Sequence, residues 1–413
     1  MNSLLDDVTE LFSNGSEHVA NPYPVYRRLQ REAPVFDAGS MVLVTQYALI
    51  EDVLKDNLNF SPRFEGTMYE AKQAQVASEH LAMYRDILAF EGRFMTRLDD
   101  PEHARQRTRF NRLFTPKALE QLRAVVLRTT TELLNAAAEL DVVDLVENVS
   151  YQLPLGIVCD LFGIPRDDRA LIHQWSLGIG AWRGPVSGVP ASYDAIAEFG
   201  AYVEQLLANA DDAAIEAAPL LAALVGRGQD VEPLDTEEMI SVIVLLIFAG
   251  HETTATLITN ATLEAMLDRR VWKALCDRRQ IDNVAVDELL RFVAPVQFNT
   301  RCVISSGATV GGVRVERGRT VALALGAGNR DPHRYSDPDE IDLDRTPNRH
   351  LAFGHGLHHC LGAFLTRLEA SVLFGELTRR FPGTELASDP AALPWRESLQ
   401  HRTVTELNLR LHP

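Results

Sequence analysis

The chain has 413 residues, of which 46% are hydrophobic and 23% are charged, as is typical of soluble globular proteins. Its net charge of −17 disfavours non-specific binding to nucleic acid, because contacts with phosphates need clustered Lys and Arg. Four widely spaced cysteines without a CxxC pair favour a reducing cytoplasm over a disulfide framework: Cys159, Cys276, Cys302 and Cys360. The N-terminal stretch MNSLLDDVTELF has acidic residues where a signal peptide has basic ones, so we expect a cytoplasmic protein without a membrane anchor.

The spacing of apolar residues predicts a mainly α protein with small β-sheets (α+β), built as one domain over residues 1–413. Recurrence at three and four residues marks the helical portions, and alternation between glycine turns marks the β-richer ones. The helical portions are about 102–292 and 360–382, and the β-richer portions are about 34–60, 300–330 and 395–411.

Two segments are predicted to be long loops. Residues 62–98 show no sustained period, and Gly and Pro interrupt the helical pattern at 177–191. Long irregular segments are often lids or binding loops, although a plain surface connection is an equal alternative for either one.

The segment DDPEHARQRTRF places His103 and Arg107 four residues apart, on one face of a helix. A charged, solvated helix face is the ordinary explanation for such a pair. Further basic residues in and after this segment form either a patch for an acidic partner or another solvated face. These residues are Arg105, Arg109, Arg112 and Lys117.

The most apolar stretch, residues 240–250, is about half the length of a membrane span and predicts a buried helix. It runs into AGHETT (249–254), where a carboxylate and two hydroxyls are costly if they lack hydrogen bonds. A buried threonine often donates to a carbonyl one turn earlier, which is one explanation for Thr253. Ala249 and Thr253 share one face of the helix.

Residues 350–362 read HLAFGHGLHHCLG, with one cysteine among four histidines and several glycines. Four zinc ligands within six residues (His355, His358, His359 and Cys360) are an unusual geometry without a second cluster. A cysteine nucleophile needs a distant base, which the sequence alone does not exclude. The glycines favour another explanation, since a backbone without Cβ atoms can approach a large flat object closely.

The pattern Phe353-Gly-x-Gly-x-His358-x-Cys360-x-Gly362 resembles the haem-binding signature of the cytochrome P450 family. The segments AGHETT, ELLR (288–291), NPYPVYRRL and GNRDPHRYSDPDEIDLDR also resemble that family and occur in its order. The resemblance covers about residues 20–411 and is to the soluble, bacterial type. It implies the cytochrome P450 fold, with haem between the central long helix and the cysteine loop.

The resemblance implies that Cys360 is the thiolate ligand of the haem iron, which favours O–O cleavage and supplies a charge that histidine cannot. Phe353 is expected to pack beside it. The implied donors to the haem propionates are His358, Arg301, His103 and Arg107. The residues expected to allow close approach to the haem are Gly354, Gly362, Ala249 and Gly250.

The resemblance also implies catalytic roles in which Thr253 donates a hydrogen bond to bound O2 and Glu252 relays protons. Glu288 and Arg291 by themselves are a common pair on solvated helices. In the family such a pair is buried and is completed by a later arginine, here Arg345, so we expect these three residues to hold the cysteine loop in place.

The implied activity is a haem b monooxygenase that inserts one atom of O2 into a small to medium organic substrate, as in hydroxylation during secondary metabolism. No flavin or iron–sulfur motif is present, so electrons from NAD(P)H are expected to arrive through a ferredoxin and its reductase. We expect a monomer that binds neither nucleic acid nor membrane. Two alternatives remain, namely a peroxide-dependent haem-thiolate enzyme and a non-catalytic haem protein.

The resemblance places the substrate pocket at about 64–97, 177–191, 244–253, 296–300 and 396–401. The expected pocket residues are Val244, Phe248, Val296, Gln297, Phe298, Asn299 and Gln400. The two glutamines and the asparagine predict a partly polar cavity for a medium-sized natural product. The substrate itself and the position of its oxidation do not follow from the sequence.

Overall fold

The computed structural model describes residues 3–13 and 16–413. Within them the chain forms nineteen α-helices, which confirms the prediction of a mainly α protein. The helices are α1 Leu4–Phe12, α2 Ser16–Ala20, α3 Tyr23–Glu32, α4 Tyr47–Lys55, α5 Thr67–Gln73, α6 Leu81–Glu91, α7 Glu102–Arg107, α8 Pro116–Glu120, α9 Arg123–Ala138, α10 Gln152–Phe162, α11 Arg169–Gly180, α12 Val189–Asn209, α13 Asp212–Ala217, α14 Pro219–Leu224, α15 Thr236–Leu267, α16 Arg269–Cys276, α17 Asn283–Val293, α18 Leu325–Gly328 and α19 Ala363–Arg380. The assignment of the whole chain to one domain stays a prediction.

Short strands in the same described residues form three small sheets. The strands are β1 Val35–Asp37, β2 Val42–Val44, β3 Phe60–Ser61, β4 Val143–Asp144, β5 Asn299–Val303, β6 Thr309–Val310, β7 Val313–Arg314, β8 Thr320–Leu323, β9 Glu385–Leu386 and β10 Asn408–Arg410. The largest sheet has the order β1-β2-β8-β5-β3, with β2 and β8 parallel and the other pairs antiparallel. Its central strand β8 is buried along its whole length. Because side chains alternate along β5, Asn299 and Arg301 project from the same face of this sheet.

Helix α15 is the central helix of the protein and confirms the buried helix predicted at 240–250. It begins at a capping box, in which the Asp235 side chain accepts from the Glu238 backbone at 2.8 Å and Glu238 accepts from the Asp235 backbone at 3.0 Å. Among the described residues α15 alone has the length and apolar character of a membrane span. However, 78% of that window is buried inside the protein, as in a core helix.

The prediction that 62–98 is a long loop is wrong. This segment holds α5, α6 and two 3₁₀ turns, Ser78–His80 and Met95–Arg97. These helices are too short to repeat an apolar pattern, and α5 buries a single residue, Tyr69. The interruption predicted at 177–191 is shorter than expected, because α11 continues to Gly180 and α12 begins at Val189, with two 3₁₀ turns between them.

A buried carboxylate ties α17 to the segment that leads to the cysteine loop. Glu288 and Arg291 are fully buried and their side chains make two hydrogen bonds, of 2.7 and 2.8 Å. Arg345 Nε lies 3.1 Å from both carboxylate oxygens of Glu288. Arg291 also donates to the Asn329 carbonyl at 2.9 Å and to the Pro338 carbonyl at 2.8 Å. The structure therefore brings the three residues together as the sequence predicts.

The substitution Glu288→Gln is expected to lower the free energy of unfolding by about 3–5 kcal/mol, because it leaves two buried guanidinium groups without a counter-charge. Urea unfolding followed by circular dichroism measures this change. Glu385→Gln, at an exposed position on β9, is the matched control and is expected to change stability by less than about 0.5 kcal/mol. Equal stability of the two variants would contradict the role of Glu288.

Candidate functional site

The cysteine loop ends directly before α19 and presents Cys360 at the start of that helix. The Cys360 backbone N–H donates to the Phe353 carbonyl at 2.9 Å, which closes the loop. Gly356 has φ +71°, and a Cβ there would lie 2.7 Å from the Leu54 carbonyl oxygen of α4, so a side chain has no room. Burial raises the pKa of the Cys360 thiol, while the Gly362 backbone N–H and the Arg107 guanidinium oppose that rise.

The histidines of the loop do not converge on the cysteine as zinc ligands. His355 faces α4 instead, with Nε2 3.4 Å from the Tyr47 hydroxyl. The His358 ring packs against the His103 ring of α7 at an angle of 56°, with ring centroids 4.4 Å apart. This arrangement does not support the zinc alternative for the loop.

A cavity of about 270 Å³ separates the cysteine loop from α15. Predicted site residues line it from both sides: Ala249, Gly250 and Thr253 on α15, and Phe353, Gly354, His358, Cys360 and Gly362 on the loop and at the start of α19. At Gly362 the nearest atom to an added Cβ is the Cys360 sulfur, 4.0 Å away, so the space beside the thiol is open. We call this cavity the slot; the Cys360 thiol lines it on the side opposite α15.

Positive charge collects at one edge of this slot. His103, Arg107 and His358 line the slot, and the fully buried Arg301 lines an adjoining cavity. Burial and then the neighbouring Arg97 lower the pKa of Arg301 to about 10. Burial and then Arg301 lower the pKa of His358 to about 3.

The arginines of this edge have no counter-charge among the described residues. Arg97, Arg107 and Arg301 each donate to a backbone carbonyl, and over the described ranges none of them pairs with a carboxylate. Asp100 lies 3.3 Å from Nδ1 of His103. Nε2 of His103 and Nε2 of His358 are buried without a hydrogen-bond partner. Because uncompensated buried charge is costly, the edge is built for an anionic ligand.

Arg97 is a member of this group that the sequence analysis missed. Its guanidinium is buried, lies 3.9 Å from the Phe64 ring centroid and donates to the Pro62 carbonyl at 3.1 Å. In the sequence it stands in a segment without period, where nothing distinguishes it from a surface arginine.

Thr253 and Glu252 point in different directions. The Thr253 hydroxyl donates to the Ala249 carbonyl at 2.9 Å, as the structural explanation of this residue required, and also faces the slot. The Glu252 carboxylate faces Arg396, with Oε2 2.7 Å from Nη1. Burial raises the pKa of Glu252, but Arg396 outweighs it and brings the pKa to about 2. Arg396, which also donates to the Tyr151 hydroxyl, lies in the predicted pocket segment 396–401, but the sequence did not indicate that it pairs with Glu252.

A second cavity of about 170 Å³ adjoins the slot and contains some of the predicted pocket residues. Phe248, Val296, Asn299 and Gln400 line it, together with Arg183 and His401, which lie in the predicted pocket segments 177–191 and 396–401 but were not named individually.

Three predicted pocket residues lie outside both cavities, and their assignment is wrong. Val244 is fully buried in the core. Gln297 turns inward, and its amide donates to the Val293 carbonyl at 3.1 Å and to the Ala294 carbonyl at 2.9 Å. Phe298 packs edge-on against Phe12, with ring centroids 5.3 Å apart. The backbone turn at 294–298 places neighbouring residues on opposite sides, which their sequence order does not reveal.

The predicted basic patch is smaller than expected. Arg109 is 1% exposed and Arg105 is ion-paired with Glu238, so neither offers a free charge to a partner. Arg112 and Lys117 are exposed.

The comparisons with known proteins agree with this geometry. The family model described as Cytochrome P450 matches residues 278–393. The polyketide biosynthesis cytochrome P450 PksS of Bacillus subtilis is 30% identical over 96% of this chain and 98% of its own. Its solved structure has a TM-score of 0.83 at 28% identity, covering 97% of this chain and 99% of that one. The cytochrome P450 monooxygenase PikC of Streptomyces venezuelae is 31% identical over 98% of this chain and 94% of its own.

A third relative is P450BioI, whose structure was solved in complex with an acyl carrier protein bearing hexadec-9Z-enoic acid. It has a TM-score of 0.84 at 27% identity, covering 96% of this chain and 99% of that one. The chain belongs to the cytochrome P450 family and is an enzyme of the monooxygenase class.

The substitution Arg396→Gln is expected to raise the pKa of Glu252 from about 2 to above the ordinary value of about 4.3, because it removes the guanidinium that chiefly opposes the effect of burial. Infrared difference spectra between pH 7 and pH 5 are expected to show a new protonated carboxyl band. The double variant Arg396→Gln/Glu252→Gln is expected to lack this band. The control variant Arg270→Gln is also expected to lack it, because the partner of Arg270, Asp268, is not buried. A spectrum identical to that of the parent protein would contradict the assignment.

Proposed function

We propose that this protein is a haem b monooxygenase with Cys360 as the axial ligand of the iron. The observation that carries the proposal is the slot itself, which is lined by the Cys360 thiol, by positive charge without a carboxylate partner at one edge and by the Thr253 hydroxyl on the opposite helix. When bound, the haem supplies the reductive activation of O2.

The residues present fit such a group. The thiol lies at the start of α19, beside backbone N–H groups that favour an anion. Two propionates match the need of the unpaired edge for negative charge, and we propose His103, Arg107, Arg301, His358 and Arg97 as their donors. Glycine at 362 keeps the space beside the sulfur open.

Thr253 and Glu252 are proposed to handle protons on the α15 side of the slot. The Thr253 hydroxyl donates to Ala249 and keeps two acceptor lone pairs, so it can accept a hydrogen bond from a ligand in the slot. Glu252 is ionised and held by Arg396, so it must exchange this partner before it can pass a proton toward the slot.

The second cavity supports an organic substrate of medium size. Phe248 and Val296 give it an apolar wall, and Asn299, Gln400 and His401 add neutral polar groups. Two relatives of this chain are named for polyketide biosynthesis and as the monooxygenase PikC. We therefore propose hydroxylation in secondary metabolism.

Electrons are proposed to reach the protein from NAD(P)H through a ferredoxin and its reductase. The exposed charges of Arg112 and Lys117 favour an acidic partner on that face. The relatives are bacterial cytochromes P450, and we propose that this protein likewise works in the cytoplasm, as a monomer.

The proposed haem ligation is tested with purified protein reconstituted with haem, reduced and treated with CO. The absorbance band typical of thiolate-ligated haem is expected in the parent protein and is expected to be lost in Cys360→Ser. Cys276→Ser changes another partly buried cysteine and is expected to keep the band. The proposal would be refuted if both variants kept the band, or if the protein took up no haem.

The substitution Thr253→Ala is expected to uncouple the reaction, so that NAD(P)H is still consumed while more of it ends as hydrogen peroxide. Product and peroxide formed per NAD(P)H measure this effect. Thr262→Ala is the matched control, because Thr262 makes the same bond to the residue four positions earlier, at 2.8 Å, but lies outside the cavities. Unchanged product per electron in Thr253→Ala would contradict its role. Product formed with peroxide alone and not with NAD(P)H would favour the peroxide-dependent alternative.

A further inference from the structure

Three side chains with metal-binding atoms meet beside α15, away from Cys360. His173 comes from α11, and His251 and Glu252 come from α15. One possible ligand atom from each residue lies within 4.8 Å of the other two. Nδ1 of His173, Nε2 of His251 and Oε1 of Glu252 are buried and have no hydrogen-bond partner. His251 is fully buried and Glu252 is 3% exposed, so the orphan atoms belong to the interior of the protein.

Both histidines are neutral and able to act as ligands. Nδ1 of His251 lies 2.8 Å from the Ile247 carbonyl, so it carries the proton and leaves a lone pair on Nε2. Burial is the main cause that lowers the pKa of His251, and burial followed by His251 lowers the pKa of His173 to about 4. The carboxylate of Glu252 is ionised, since Arg396 keeps its pKa at about 2 against the effect of burial.

We propose that His173, His251 and Glu252 bind one divalent transition-metal ion, of which Zn²⁺ is the best match. Two imidazoles and a carboxylate are a common zinc ligand set, with bonds of about 2.0–2.2 Å and a fourth position open. Ligand atoms in such a site are roughly 3.3–3.5 Å apart. Nε2 of His251 and Oε1 of Glu252 are 3.6 Å apart, which is close to this spacing. The ligand atom of the half-buried His173 lies within 4.8 Å of the other two, so binding of the ion requires this side chain to move closer.

The surroundings set the strength of the site. Arg396 holds Oε2 of Glu252, and metal-bound carboxylates commonly have such a second partner. The same guanidinium also opposes a cation by its charge. Tyr151 accepts from Arg396, and its ring lies 4.4 Å from that of His173. We therefore expect affinity in the micromolar range, well below that of structural zinc sites.

Zinc binding has a consequence for turnover that rests on the proposed function. An ion on Oε1 fixes Glu252 in place, so this residue no longer passes protons toward Thr253. Zinc is expected to slow substrate oxidation in the parent enzyme and to have less effect where the site is broken.

The test uses the haem-loaded protein, with ZnCl2 as the probe. Calorimetric titration at pH 7.5, and elemental analysis after desalting, are expected to give one zinc per haem iron. His173→Gln and Glu252→Gln are expected to weaken this binding more than about 10-fold. His333→Gln, at an exposed histidine, is the matched control and is expected to bind zinc like the parent.

The possible outcomes distinguish a failure of the metal site from a failure of the proposed function. Zinc binding that is absent, or that persists unchanged in both His173→Gln and Glu252→Gln, overturns the site. Haem content and circular dichroism of each variant show whether it has folded, and the two variants, on different helices, need not fail together. A protein that binds no haem contradicts the proposed function. Its zinc titration, done in the Cys360→Ser background to remove that thiol, still tests this cluster.

Discussion

The geometry of the site depends on one buried carboxylate that carries two guanidinium partners. Glu288 neutralises Arg291 and Arg345, and it also accepts the Asp342 backbone N–H at 2.8 Å. Arg291 in turn donates hydrogen bonds to three backbone carbonyls between residues 329 and 340. Since this stretch leads into the cysteine loop, we propose that the position of Cys360 relative to α15 depends on a charge balance that is distant from Cys360 in the sequence. Packing alone does not specify a loop so rich in glycine.

Buried charges that have a counter-charge within the chain and buried charges that have none indicate different roles in this protein. The Glu288 group and the Arg183–Glu91 pair are buried, but each has its counter-charge within the chain. Among the described residues the arginines of the slot edge have no such counter-charge, and burial followed by the neighbouring arginines lowers the pKa values of Arg301 and His358. Unpaired buried charge is costly, which supports the proposal that an anionic group binds at this edge. The same electrostatic argument thus bears on the buried Glu288 group and on the proposed cofactor edge.

Glu252 links the two proposals made for the α15 side of the site. Its Oε2 accepts a hydrogen bond from Arg396, and its Oε1 faces the two histidines. Neither oxygen is therefore directed at Thr253. Under the two proposals, proton transfer requires Glu252 to leave Arg396, whereas a metal ion on Oε1 would hold the carboxylate in place, so the two roles exclude each other. The ion pair with Arg396 would limit both proposed roles.

The sequence by itself determined the fold class, the buried helix α15 and most residues of the slot. The fold class and α15 follow from local apolar periods, whereas Cys360, the other slot residues and the ELLR pair were predicted through the resemblance of their motifs to the cytochrome P450 family. Tertiary structure alone decided that Arg97 joins the cationic edge, that Arg396 holds Glu252 and that Gln297 turns away from the cavity. The physical reason is that the partner of a single polar side chain depends on which distant backbone segments meet, and no local pattern records that meeting.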